Sequence, residues 1–172
     1  PFAEAVDREE YDSLKAHLSP HLRDARWVKP EGIHLTLKFL GDTPVEKVSE
    51  IKSLIATYAP RPIEAEIALE RPGVIVTRGI PRILYLDIVD DQGIVAGLAR
   101  ATGEAMTKIG CMREVRRPFL PHLTLARIRS GAKNLTAILE GFRETGFGTA
   151  GTISVQLFES RLTSSGSTYT RL

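Results

Sequence analysis

Cysteine is almost absent from this chain: Cys111 stands alone, so no internal disulfide can form and no set of thiolates can hold a metal. A reducing, cytoplasmic setting is the expectation. Long apolar runs are missing too, since none approaches the roughly 18 residues of a membrane-spanning helix, and membrane insertion is not expected. The first twenty residues carry acids throughout instead of a basic start and an apolar block, so no secretory leader is expected among them. Neither Gly-x-Gly-x-x-Gly nor Gly-x-x-x-x-Gly-Lys occurs, which removes the usual loops for dinucleotides and ATP, and no Gly-x-Ser-x-Gly elbow presents a nucleophilic serine. The net charge of +2 over 172 residues is too small to name a nucleic-acid partner by itself. Basic residues do gather in one stretch, at Lys108, Arg113, Arg116, Arg117, Arg127 and Arg129.

What is present is a repeat. His34-Leu35-Thr36-Leu37 returns as His122-Leu123-Thr124-Leu125, and each copy follows a basic residue and a proline at the same offset, Lys29-Pro30 and Arg117-Pro118. Four histidines at ordinary residue frequencies would give such a match on the order of a few times in a thousand. The separation is close to half the chain, so internal duplication is the better reading. One compact unit over residues 1–172 is expected.

Periodicity supports two matching halves. Phe2–Val6 alternates as a short strand, and Glu9 to about His21 has helical spacing through Tyr11, Leu14 and Leu18. After the first motif, Val45–Tyr58 reads as a helix ended by Pro60 and Pro62, followed by extended segments Ile63–Leu69 and Val74–Val76 and a turn at Arg78–Pro81. The second half runs strand Ile83–Val89, helix from about Gln92 to Ile109, second motif, helix Lys133 to about Glu144, then strands Ser154–Phe158 and Tyr169–Leu172 around a turn at Ser164–Ser167. Strands interleaved with helices predict an α+β protein with two facing sheets and helices outside.

On an extended segment the motif leucines point into a core while His34 and Thr36 share the other face, and His122 and Thr124 do likewise. Facing copies bring together two imidazoles and two hydroxyls. That set suits a phosphate, because hydroxyls donate to nonbridging oxygens and imidazoles can deliver and remove protons on either side of phosphorus. A metal site is the weaker alternative, since two histidines and two threonines lack thiolate or carboxylate ligands. His17 and His21 stand at i, i+4 on a predicted helix, and read as exposed polar residues near its end.

The paired motifs resemble those of the two-histidine phosphoesterase superfamily, in particular the RNA 2′,3′-cyclic phosphodiesterases also called 2′-5′ RNA ligases. The blocks Trp27–Gly41 and Arg117–Arg127 and the ending from Leu157 through Gly166 to Tyr169 extend the likeness along the chain. The resemblance implies two pseudo-symmetric lobes, each an antiparallel-rich sheet with outer helices, around a central groove. It implies metal-independent hydrolysis of an RNA or nucleotide 2′,3′-cyclic phosphate to a 2′-phosphate, with no cofactor. His34 would act as general acid and His122 as general base, while Thr36, Thr124 and Arg127 hold the phosphate. Ligation of 2′-5′ ends without ATP is the companion expectation. Two alternatives stay open, a phosphodiesterase for a small cyclic phosphate derived from ADP-ribose and a binder of RNA or nucleotides without turnover. No obligate protein partner is evident, and a monomer is expected.

Overall fold

The computed structural model describes residues 4–111, 118–130, 135–163 and 166–172. Helix α1 spans Arg8–Leu18, and its start is set by Asp7, whose carboxylate accepts from the Glu9 and Glu10 amides at 3.0 and 3.1 Å. Glu9 and Glu10 add negative charge where the helix dipole favours it. Tyr11, Leu14 and Leu18 form its buried stripe. Burying a leucine such as Leu14 or Leu18 contributes about 1.5–3 kcal/mol, and this fixes α1 far more firmly than its intrinsic propensity.

Helix α2 (Val48–Tyr58) follows a 3₁₀ turn at Val45–Lys47, and α3 (Ile94–Lys108) begins after Gly93, which takes a left-handed φ of 68°. Asp90 caps α3 by accepting from the amides of Ile94 and Val95 at 3.0 and 2.7 Å. The two helices meet through a hydroxyl pair. Thr102 gives its proton to the Leu98 carbonyl at 2.7 Å, so Tyr58 is the donor in its 3.1 Å bond to Thr102.

Strands β1 (Asp24–Trp27), β2 (Ile63–Thr77), β3 (Ile80–Val89), β4 (His122–Ser130) and β5 (Gly146–Ile153) form a curled antiparallel sheet in the order β1-β4-β3-β2-β5. Strands β6 (Phe158–Thr163) and β7 (Gly166–Arg171) pair as a separate hairpin. Helix α4 (Leu135–Leu139), continued by a 3₁₀ turn at Glu140–Phe142, packs on β2, and α1 packs beside β5. Leu69, Leu84, Leu86, Leu123 and Leu125 point from the sheet into one core with Tyr11, Leu14, Leu18, Leu135, Leu139 and Phe147. The alternate residues of β3 and β4 are left on the opposite, open face.

The α+β class and the antiparallel pairing stand as expected, with the strands divided five and two. Several elements differ from their sequence patterns. The first motif is not a strand; Leu35 makes an isolated bridge to Leu123. Residues 4–6 form a turn, and the rest of the expected first strand lies outside the described residues. Ile63–Leu69 and Val74–Val76 are one continuous strand, because the bulge between Glu70 and Pro72 bends it without ending it. Ile80 and Pro81 belong to β3, which narrows the turn to Arg78 and Gly79, both at positive φ. Ser154–Leu157 are irregular, and the strand expected there begins only at Phe158. Strands β1 and β5 were not evident in the sequence. The start of the helix expected from Lys133, the cluster residues Arg113, Arg116 and Arg117, and the Ser164–Ser165 turn lie outside the described residues.

Candidate active site

The bridge between Leu35 and Leu123 joins the middle of one motif to the middle of the other, in antiparallel sense. Bridged residues point to the same side of a sheet, so the residues flanking them point together to the other side. That register sets His34 across from Thr124 and Thr36 across from His122. Leu123 and Leu125 are fully buried, Leu35 is partly so, and the four polar side chains remain open to solvent to differing degrees.

Both imidazoles are anchored in the same way. His34 Nδ1 lies 2.7 Å from the Gly32 carbonyl, and His122 Nδ1 lies 2.8 Å from the Leu120 carbonyl, two residues upstream in each case. A carbonyl can only accept, so each Nδ1 carries a proton and donates it. Nε2 is left as the working nitrogen on both rings, able to accept a proton when neutral or to give one when charged. The first anchor comes from a local turn. Pro30 opens a 3₁₀ turn over Pro30–Gly32, which turns the Gly32 carbonyl back toward His34.

Arg127 stands three residues beyond Thr124, an odd offset that in a regular strand would send it into the core. A bulge corrects the parity. Leu84 pairs with Ala126 and Tyr85 with Thr124, leaving Leu125 without a partner on β3. Leu125 and Ala126 both turn inward with no exposure, and Arg127 emerges on the open face with His122 and Thr124. Lys38, in contrast, leaves the motif. Its stem lies against Gly103 of α3, where an added Cβ would meet Lys38 Cε at 2.9 Å.

Each histidine has a tyrosine at its edge. Tyr169 of β7 meets the His34 ring at 4.7 Å between centroids, and Tyr85 of β3 meets His122 at 5.5 Å, both rings inclined at 69°. Tyr85 lies across Gly73, its register partner on β2, where a Cβ would come within 2.5 Å of Tyr85 Cζ. The glycine is what lets the ring lie flat. Burial and the neighbouring Asp87 push the Tyr85 phenol above its ordinary range, so it keeps its proton at neutral pH. Asp87 is the register partner of His122, and burial is the main cause that raises its carboxyl above the usual value.

The structure therefore brings His34, His122, Thr36, Thr124 and Arg127 to one open face. His17 and His21 lie elsewhere and are exposed, with His17 packing edge-on against Phe142 at 5.3 Å. Among the described residues, no group of three or more His, Cys, Asp or Glu side chains is placed to hold a metal ion. No helix among them is long and apolar enough to cross a membrane. Tyr85 and Asp87 were not singled out in the sequence, though their alternation with Leu84 and Leu86 on a predicted strand marks them as open-face residues.

Residues 5–85 match the family model described as LigT like Phosphoesterase. The RNA 2′,3′-cyclic phosphodiesterase of Aquifex aeolicus is 30% identical over 146 residues, spanning 84% of this chain and 78% of that protein. The RNA 2′,3′-cyclic phosphodiesterase of Archaeoglobus fulgidus is 28% identical over 92% of this chain and 90% of its own length. The crystal structure of E. coli LigT complexed with 3′-AMP superposes with a TM-score of 0.70 over 98% of this chain and 92% of that one, at 24% identity, a likeness of fold. With paired His-x-Thr motifs on one face, this fold around them and relatives of that identity over most of its length, the chain belongs to the LigT-like, two-histidine phosphoesterase family.

Proposed function

We propose that this protein hydrolyses the 2′,3′-cyclic phosphate end of RNA, or of a small nucleotide, to a 2′-phosphate without a metal ion. The observation that carries the reading is the pair of imidazoles anchored alike through Nδ1 and joined by the Leu35–Leu123 bridge. His122 Nε2 takes a proton from water as the water oxygen bonds to phosphorus. The bond from phosphorus to O3′ breaks in line with that attack, and His34 Nε2 gives its proton to the departing O3′. Thr36 and Thr124 donate to the nonbridging oxygens, and Arg127 supplies a fixed cation. The same chemistry with a 5′ hydroxyl in place of water joins two ends by a 2′-5′ linkage and needs no ATP.

Deoxyribose cannot form the cyclic ester, so the chemistry itself selects RNA. We read residues 1–172 as one two-lobed unit of duplicated origin, acting as a monomer in the cytoplasm. The test is an oligoribonucleotide ending in a 2′,3′-cyclic phosphate beside the same chain ending in a 3′-monophosphate. Conversion of the first alone supports the reading, and conversion of neither contradicts it.

Two further results are expected. Arg127→Ala lowers kcat/KM by about 10- to 100-fold, the loss of a charge-assisted contact to phosphate; unchanged kinetics would remove Arg127 from the site. Gly73→Ala lifts the Tyr85 ring toward His122 and lowers kcat/KM by about tenfold, because small displacements of reacting groups carry large rate penalties. The ring can swing aside, so the denaturation midpoint changes little. A Gly73→Ala enzyme of full activity would show that Tyr85 has no bearing on His122.

A further inference from the structure

Asp87 occupies an unusual place. It stands on β3 directly across from His122 on β4, and its other neighbour in register is Glu70 on β2. Immediately after Glu70 the β2 strand bulges, and the extra residue, Arg71, takes a left-handed φ of 39°, uncommon for a residue with a side chain. That conformation brings Arg71 Nε to 3.8 Å from Asp87 Oδ2. The carboxylate is thereby held beside a guanidinium, on the residue in register with His122 of the next strand. Its side chain is only 30% exposed.

We propose that Asp87 is a positioning residue for His122, its carboxylate stabilising the imidazolium that forms when His122 takes the proton from water. The inference rests on the reading of His122 as the general base. Cross-strand neighbours on one face have their Cβ atoms about 4.5–5.5 Å apart, within the range where a carboxylate favours the charged imidazole. The charged and titratable groups around Asp87 are Arg71 and Glu70 from β2, Tyr85 from its own strand and His122 from β4. Arg71 and His122 favour its ionised form, Glu70 opposes it, and burial outweighs them. The fold thus keeps a carboxylate at a position where its charge is disfavoured. What carries the inference is the placement itself, a carboxylate in register with His122 and held on its far side by Arg71.

Stability and activity should therefore separate. A carboxyl raised above its unfolded value weakens the fold at neutral pH, and the penalty fades as pH falls below the unfolded range. Asp87→Asn is expected to raise the urea midpoint at neutral pH, the gain vanishing in acid. The decisive experiment records pH profiles on a nucleoside 2′,3′-cyclic phosphate for the wild type, Asp87→Asn and Asp87→Glu, together with their urea midpoints. The expected result is a kcat lowered about tenfold in Asp87→Asn with KM little changed, an acidic limb of kcat/KM moved to lower pH, and partial recovery in Asp87→Glu. An Asp87→Asn enzyme with wild-type turnover and limb would overturn the inference. So would one that is slower only because it unfolds more easily. A wild type without turnover on any cyclic phosphate would instead overturn the functional reading and take this inference with it.

Discussion

Replacing His122 with alanine is expected to lower kcat/KM for a 2′,3′-cyclic phosphate by about 10²–10⁴-fold, the range that a positioned general base contributes. The magnitude follows from the geometry of one ring. Nδ1 is committed to the Leu120 carbonyl at 2.8 Å, so Nε2 is the nitrogen left for the proposed proton transfer, and His34 is the other imidazole anchored in this way. His34→Ala should cost a comparable factor, through loss of the proton donor to O3′. Each single variant should also lose one limb of the bell-shaped pH profile, since one titrating group then remains of the pair. Folding should hardly change. His122 is partly exposed, and removing it forfeits one backbone contact, worth about 1 kcal/mol. A His122→Ala enzyme that retains full rate would contradict the two-histidine mechanism.

Gly148→Ala is expected to destabilise the fold by about 3 kcal/mol or more, with little effect on the rate of the folded fraction. Gly148 lies in β5 at a φ of 122°, which side chains rarely adopt, and an added Cβ would sit 1.9 Å from the Ala5 carbonyl oxygen. The neighbour there is backbone and cannot rotate away. The same crossing holds the Asp7 amide on the Phe147 carbonyl at 2.8 Å, and Asp7 is the cap of α1. Pushing this segment outward loosens the cap and, with it, the Tyr11, Leu14 and Leu18 stripe. The check is a urea denaturation curve. A loss below about 1 kcal/mol would show that the crossing yields easily and that α1 is seated by its apolar stripe alone.

The chemistry was more legible than the path of the chain. His34, Thr36, His122 and Thr124 could be read as two polar pairs because their alternation with leucines is a property of local sequence. Arg127 could not be placed that way, since its odd offset only makes sense with the bulge that leaves Leu125 unpaired. The Nδ1 anchors, Tyr85 and Asp87 depend on turn geometry and on the register of β3 against β4, which no local pattern specifies. Strand β5 was hidden by Gly146, Gly148 and Gly151, residues that weaken a strand signal; it exists because Phe147 fills the core and β2 offers a pairing edge. Strand β1 is four residues of mixed polarity and forms only because β4 lies beside it. The first motif has the alternation of a strand, yet it follows a 3₁₀ turn and meets the sheet only at Leu35.

Two imidazoles, without a metal, are expected to open the cyclic ester at its 3′ oxygen. Incubating the purified protein in EDTA with a nucleoside 2′,3′-cyclic phosphate, and resolving the 2′- and 3′-phosphate products, tests it most directly. The 2′-phosphate is expected as the sole product, formed by the wild type and lost in both His34→Ala and His122→Ala. Formation of the 3′-phosphate, or turnover that EDTA abolishes, would contradict it.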